Sequence, residues 1–353
     1  MSVTRIIKIN PQKPEDKPLL KAADIVKDGG LVIVPTETVY GICANKLNEG
    51  AIKRLSEIKK RPQEKHYTLH IADKEKIVEF AKDIPVSAFK LIDKFWPGPL
   101  TIILKSPEGG TIGIRMPDEQ ICRRIITLAD VPVVMPSANI SGSPAPVNFS
   151  AAIKDLNGLV DLAIDAGDTK LGVESSVVDL TVEQPVILRE GAIKKEDILK
   201  IAKTKIVLFV CTGNSCRSVM AEALLKKKLK ELDRHDIEVV SAGVMMSDGL
   251  GASFETIELL RRQGLDVTGH RSRSLNLDLL NKADLILVME KSHEDRIVQM
   301  APWVSNRLFL LKEFARVKDN NLNISDPIGK SAAFYEQTLE VIRDAVDKVS
   351  QII

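Results

Sequence analysis

Short apolar runs alternate with segments of helical period along most of the chain. Between Pro18 and Lys27 apolar positions recur on one helical face, which predicts a helix closed by Gly29-Gly30. Leu31-Val32-Ile33-Val34 reads as a short buried strand, and Ala51 to Ile58 as a second helix. Residues 1–17 are polar and proline-bearing, the pattern of an irregular lead-in or an edge strand. Further on, Val207-Leu208-Phe209-Val210-Cys211, Ile237 to Ala242 and Ala283 to Met289 read as strands. Gly251 to Gln263 and Ser331 to the end read as helices between and after them. Strands that alternate with helices predict a parallel sheet covered on both faces. Gly191 to Thr204 is lysine-rich and amphipathic, a connector helix with a boundary near Lys203.

Composition refines this picture. A chain of 353 residues is long for one core, so two domains are expected, 1–200 and 204–353. With 44% apolar and 28% charged residues, it has the make-up of a soluble globular protein. A formal charge of +2 gives no whole-chain field for nucleic acid. Leu285-Ile286-Leu287-Val288-Met289, among the longest apolar runs, is too short to span a bilayer, so no membrane role is expected. Met1 to Asn10 lacks signal-peptide architecture. The four cysteines, at 43, 122, 211 and 216, have neither zinc spacing nor the layout of a disulfide framework. No metal site and a reducing cytoplasm are therefore expected.

The strand ending at Cys211 runs into Thr212-Gly213-Asn214-Ser215-Cys216-Arg217-Ser218, and Met220, Ala223 and Leu224 then follow at helical spacing. Strand, tight loop and helix N-terminus make an anion cradle, because loop N–H groups and the helix dipole converge there. Such a field favours thiolate over thiol. Arg217 adds a planar fork for two phosphate oxygens. On these residues the segment from about Lys205 onward resembles the low-molecular-weight protein tyrosine phosphatase family, whose loop reads V-C-x-G-N-x-C-R-S. The resemblance implies that Cys211 attacks phosphorus, Arg217 stabilises the transferring phosphoryl, Ser218 hydrogen-bonds the thiolate and Asn214 shapes the loop. It also implies that Asp326, in Asp326-Pro327, is the general acid. Ile328-Gly329 after that pair and Ser215 in the loop suggest a less aromatic pocket, nearer the protein-arginine phosphatase branch. Cys216 could shield Cys211 through a reversible disulfide or simply fill the core. No cysteine follows it, which disfavours an arsenate reductase.

In the first half, strand ends repeatedly carry hydroxyls, amides or arginine: Pro35-Thr36-Glu37-Thr38-Val39-Tyr40-Gly41, Trp96-Pro97-Gly98-Pro99-Leu100-Thr101, Gly113-Ile114-Arg115, Ser137-Ala138-Asn139, Glu174-Ser175-Ser176 and Leu188-Arg189, while the helix from Ala51 to Ile58 ends in the cations Lys59-Lys60-Arg61. Side chains in these positions would converge on one polar cavity. Together and in this order they resemble the YrdC-like threonylcarbamoyl-AMP synthase family over roughly Pro18 to Lys200. The likeness implies a twisted open α/β sheet, to be followed by the four-stranded parallel sheet of the phosphatase fold. It implies a reaction of threonine, bicarbonate and ATP, with Mg²⁺ accompanying the ATP, and a product that feeds tRNA threonylcarbamoyladenosine synthesis. Thr36 and Tyr40 would line the threonine and carbamoyl pocket. Lys59, Arg61, Ser137 and Asn139 would hold phosphates, and Arg115, Ser175 and Arg189 fall at further ligand positions. After the K-x-R the family usually reads Pro-Leu, where this chain has His66-Tyr67. His66 and His70, four apart on one expected strand, could suggest a metal pair, yet they would sit far apart. The rival reading keeps the first half as a non-catalytic RNA-binding module attached to a working phosphatase with a phosphoprotein substrate.

Overall fold

The structure, a computed structural model, describes residues 3–60, 67–245 and 248–353. The chain divides into two compact units, Met1–Ala202 and Lys203–Ile353. In the first unit the strands are β1 (Arg5–Lys8), β2 (Val32–Val34), β3 (Gly41–Asn45), β4 (Leu69–His70), β5 (Leu100–Lys105), β6 (Thr111–Arg115), β7 (Val133–Val134), β8 (Leu162–Asp165), β9 (Ser176–Asp179) and β10 (Val186–Arg189). They form one mixed sheet in the order β1-β8-β2-β3-β7-β4-β6-β5-β9-β10. The lead-in supplies edge strand β1, parallel to β8. β4 is only two residues long, so it begins later than the apolar and aromatic positions before it suggest.

Strand alternation sorts the cores. Val32 and Val34 pack on one face with Leu19, Val26, Ile121 and Ile125, from helices Asp16–Lys27 and Gln120–Ala129. Ile33 points the other way, against Ala51 and Leu55 of helix Glu49–Lys59. A strand apolar on both faces needs both covered, and this one is. Helix Glu49–Lys59 starts where the Asn48 side chain accepts the Ala51 N–H at 2.9 Å. It stops at Lys60, whose φ of 47° is left-handed. Helix Val86–Phe95 packs Leu91 and Ile92 under Leu100 and Ile102 of β5.

The second unit is a four-stranded sheet of β11 (Lys205–Cys211), β12 (Ile237–Gly243), β13 (Leu285–Val288) and β14 (Leu308–Leu310), ordered β12-β11-β13-β14 and parallel throughout. Val207, Phe209 and Cys211 face helices Arg217–Glu231 and Ala332–Ile352, while Leu208 and Val210 face Leu280, Ile297 and Val304. Both faces of the central strand are thus sealed, and its C-terminal end opens onto the loop after Cys211. Among the described residues, no helix is long and apolar enough to cross a membrane.

Candidate active sites

A cavity of about 330 Å³ in the first unit is lined by Thr36, Tyr40, Lys59, Arg115, Ser137, Asn139, Ser175 and Arg189. These are the first-half candidates except Arg61, which lies outside the described residues, as does His66. Where β2 ends, the Thr36 hydroxyl donates to the Val39 carbonyl at 2.6 Å and accepts the N–H groups of Thr38 and Val39 at 3.2 Å. That turn delivers Thr38 and Glu37 to the buried Arg115 at the end of β6. Arg115 Nη2 donates to Glu37 Oε1 at 2.6 Å and to Thr38 Oγ1 at 2.8 Å, and its Nε donates to the Gly98 carbonyl at 3.3 Å. The other Glu37 oxygen accepts the Asp118 N–H at 3.0 Å. Glu37 is therefore the ionic partner of a cavity arginine, a role its motif alone did not reveal.

The Lys59 ammonium donates to the carbonyl oxygens of Ser137 and Asn139 and to Asn139 Oδ1, at 2.8, 2.6 and 2.8 Å. It ties the end of its helix to the loop after β7. Tyr40 contributes its ring to the wall, not a free hydroxyl. The hydroxyl donates to the Gly167 carbonyl at 2.8 Å and accepts the Ala166 N–H at 3.1 Å, and burial pushes its ionisation up to about 12. Arg189 bonds Ser175 through its carbonyl and hydroxyl, at 2.8 and 3.0 Å, and Glu174 at 2.8 Å. Gly191 makes this crossing feasible, since a Cβ there would lie 2.2 Å from the Glu174 carbonyl oxygen. His70, also on the cavity wall, pairs Nδ1 with the Thr68 carbonyl at 3.1 Å. A carbonyl only accepts, so Nδ1 carries the proton and Nε2 keeps its lone pair. Burial, then the Arg115 charge, lowers the His70 pKa from 6.5 to about 3.

In the second unit the buried Cys211 Sγ lies 3.0 Å from Ser218 Oγ. Asn214 Nδ2 donates to that same oxygen at 2.9 Å, which turns the Ser218 proton toward sulfur. The second Nδ2 proton goes to Ser241 Oγ at 2.8 Å. Asn214 holds a φ of 54°, which asparagine tolerates better than most residues. Helix Arg217–Glu231 has no side-chain cap, so its N-terminal amides face the loop. Arg217 is buried. Its Nη1 pairs with Glu290 and donates to the Ile324 carbonyl at 2.8 Å, while Nη2 pairs with Asp326 and donates to Thr212 Oγ1 at 2.9 Å. All five second-half candidates thus meet at one loop. Glu290 was not anticipated, although its place just beyond the end of β13 is where parallel sheets present site residues. Cys216 Sγ contacts Ser253 Oγ at 3.3 Å and the Tyr335 hydroxyl at 3.7 Å. Among the described residues, no group of three His, Cys, Asp or Glu could hold a metal ion.

Two family models match. The Sua5–YciO–YrdC model, described as Telomere recombination, covers residues 24–191, and the Low molecular weight phosphotyrosine protein phosphatase model covers residues 206–353. The chain belongs to both families, one in each unit. It is 42% identical over 208 residues to a Threonylcarbamoyl-AMP synthase of Pyrococcus abyssi, across 56% of this chain and 61% of that protein. It therefore spans about three fifths of that relative's length. A Methanocaldococcus jannaschii protein named for the same activity is 38% identical over 200 residues, which cover 54% of this chain and 94% of its own. A Ralstonia nicotianae protein named as a low molecular weight protein-tyrosine-phosphatase is 35% identical over 143 residues, 40% of this chain and 92% of that one. The solved structure of P. abyssi Sua5 complexed with L-threonine aligns with a TM-score of 0.54 at 28% identity, over 85% of this chain and 98% of that chain.

Two predictions follow from the cavity. Glu37→Ala strands the buried Arg115 charge and costs about 3–5 kcal/mol of stability, read as a lower urea midpoint. For His70 the folded pKa, about 3, lies below the ordinary 6.5, so only the unfolded chain takes up its proton between those values. Stability therefore falls as pH drops below 6.5, and His70→Asn shrinks the difference between urea midpoints at pH 7 and pH 5.

Proposed function

We propose that the chain carries two enzymatic activities. The first unit joins threonine, bicarbonate and ATP into threonylcarbamoyl-AMP and pyrophosphate, and its product serves the tRNA-modification machinery in the cytoplasm. The observation that carries this is convergence: candidates spread from Thr36 to Arg189 line one cavity. The threonine complex of the P. abyssi relative supports the substrate. Thr36 and the Tyr40 ring flank threonine and the carbamoyl group. Lys59, Arg61, Ser137 and Asn139 take the phosphate side, and Arg115, Ser175 and Arg189 complete the polar wall. Mg²⁺ enters with ATP as part of the substrate, clamping phosphate oxygens.

The second unit hydrolyses phosphorylated protein side chains. Cys211 sulfur forms a bond to phosphorus as the bond to the leaving group breaks, and Asp326 gives that group its proton. Water then cleaves the cysteinyl-phosphate with Asp326 as base, while Arg217 offsets the charge on the phosphoryl oxygens. This half needs no cofactor. The 3.0 Å Cys211–Ser218 contact beside Arg217 and Asp326 carries the reading. With Ile328 and Ser215 where aromatic or bulky apolar residues would sandwich a phenyl ring, phosphoarginine is the preferred substrate.

Pyrophosphate release from ATP by the whole chain is expected to require both threonine and bicarbonate and to be lost in Lys59→Ala. Release absent while phosphatase activity persists would make the first unit a binding module for RNA. Cys211→Ser is expected to abolish dephosphorylation and leave pyrophosphate release intact. On proteins carrying either modification, phosphoarginine is expected to turn over faster; comparable rates with phosphotyrosine remove the proposed preference.

A further inference from the structure

We propose that His293 is a positioning residue for phosphoryl transfer, holding the Thr212 hydroxyl that in turn anchors Arg217; this rests on the phosphatase reading of the Cys211 loop. His293 sits in the first turn of helix Lys291–Met300 and is buried, 3% exposed. Its Nε2 lies 3.0 Å from Thr212 Oγ1, which accepts the Arg217 Nη2 proton at 2.9 Å. Its Nδ1 is buried and, among the described residues, has no hydrogen-bond partner. The ring's one polar side-chain contact is therefore made to the loop.

Proton counting explains the arrangement. Thr212 has one hydroxyl proton, and a lone pair of the same oxygen faces Arg217. The Nε2 contact engages the same oxygen from a second side, in either ring tautomer, and so fixes the direction in which the Thr212 hydroxyl faces Arg217. Without the imidazole the hydroxyl can rotate, and the Nη2 edge of Arg217 loses one of its two fixed partners. The charged groups facing the ring are Arg217, Glu290 and Asp326. Burial, and then the Arg217 charge, lowers the His293 pKa to about 4, so the ring is uncharged near neutral pH and adds no positive charge beside Arg217.

The test uses the full chain with p-nitrophenyl phosphate as substrate and inorganic phosphate as competitive inhibitor. His293→Leu and Thr212→Val are each expected to lower kcat about tenfold while KM and the phosphate inhibition constant move less than about threefold. The double variant is expected to lose about tenfold in all, not a hundredfold, because both changes break one chain of contacts. His293→Gln, with an amide near the Nε2 position, is expected to recover most of the loss. Unchanged kcat in His293→Leu, losses that multiply in the double variant, or a Gln variant no better than Leu each overturn the inference. If His293→Leu does not fold, Thr212→Val against Thr212→Ser decides: equal kcat in the two overturns it. A wild type without turnover overturns the phosphatase reading itself, and this inference with it.

Discussion

Everything at the Cys211 loop depends on where its carbonyl groups go. A cradle for an anion turns backbone N–H groups inward, so the carbonyls turn outward and must find donors elsewhere. They do: Cys211 and Thr212 accept the Val244 and Met245 N–H groups at 2.9 and 3.0 Å. Asn214 accepts from His270 Nε2 at 2.8 Å, and Ser215 from the Ser253 N–H at 3.0 Å. The segment after β12 is thus the outer mould of the loop. Its close approach is allowed by Gly243, where a Cβ would lie 2.8 Å from the Thr212 carbonyl oxygen. Asn214 works from inside the same mould, fastening Ser218, Ser241 and, through Oδ1, the Arg273 N–H at 3.0 Å.

The first unit solves a related problem by different means. Its cavity has no single loop to shape it; its walls come from strand ends and turns far apart in sequence. Buried charge gives them a common reference. Arg115 reaches back to Glu37 and Thr38, and Lys59 reaches across to the 137–139 turn. Such contacts are costly to break singly, because each leaves a charge or a carbonyl in a place water does not readily reach. That cost fixes the relative positions of the turns without demanding long strands, and several strands here are only two or three residues long.

What the sequence made legible follows from range. The loop around Cys211 is contiguous, so strand, loop and helix could be read directly, and the continuous apolar run of β11 announced a strand covered on both faces. The cavity of the first unit could be foreseen only as a recurrence of polar strand ends, since nothing local says which ends meet. Side-chain direction was less legible still. The Tyr40 hydroxyl turns to the 166–167 backbone, and the Lys59 ammonium rests on carbonyl oxygens. Glu37, Glu290 and His293 escaped notice because their partners stand many residues away, at Arg115, Arg217 and Thr212. Pairings of that kind leave no local period.

The electrostatics of Arg217 connect the resting loop to its proposed chemistry. One guanidinium faces two carboxylates, Glu290 and Asp326. In the proposed reaction a phosphate dianion competes for the same donors. Glu290 stands at the N-cap position of helix Lys291–Met300, where its carbonyl accepts the His293 N–H at 3.0 Å and holds its backbone. Asp326 lies in an irregular segment, and its Oδ1 accepts the Ile328 N–H at 3.1 Å. Beside Arg217 alone, Asp326 is a counter-ion; beside a bound dianion it becomes a like charge. In the proposed reaction the same carboxyl group faces the departing phenolate or guanidine. Arg217 thus ties the proposed acid to the proposed phosphoryl site through one guanidinium, a link that a carboxylate placed away from it could not make.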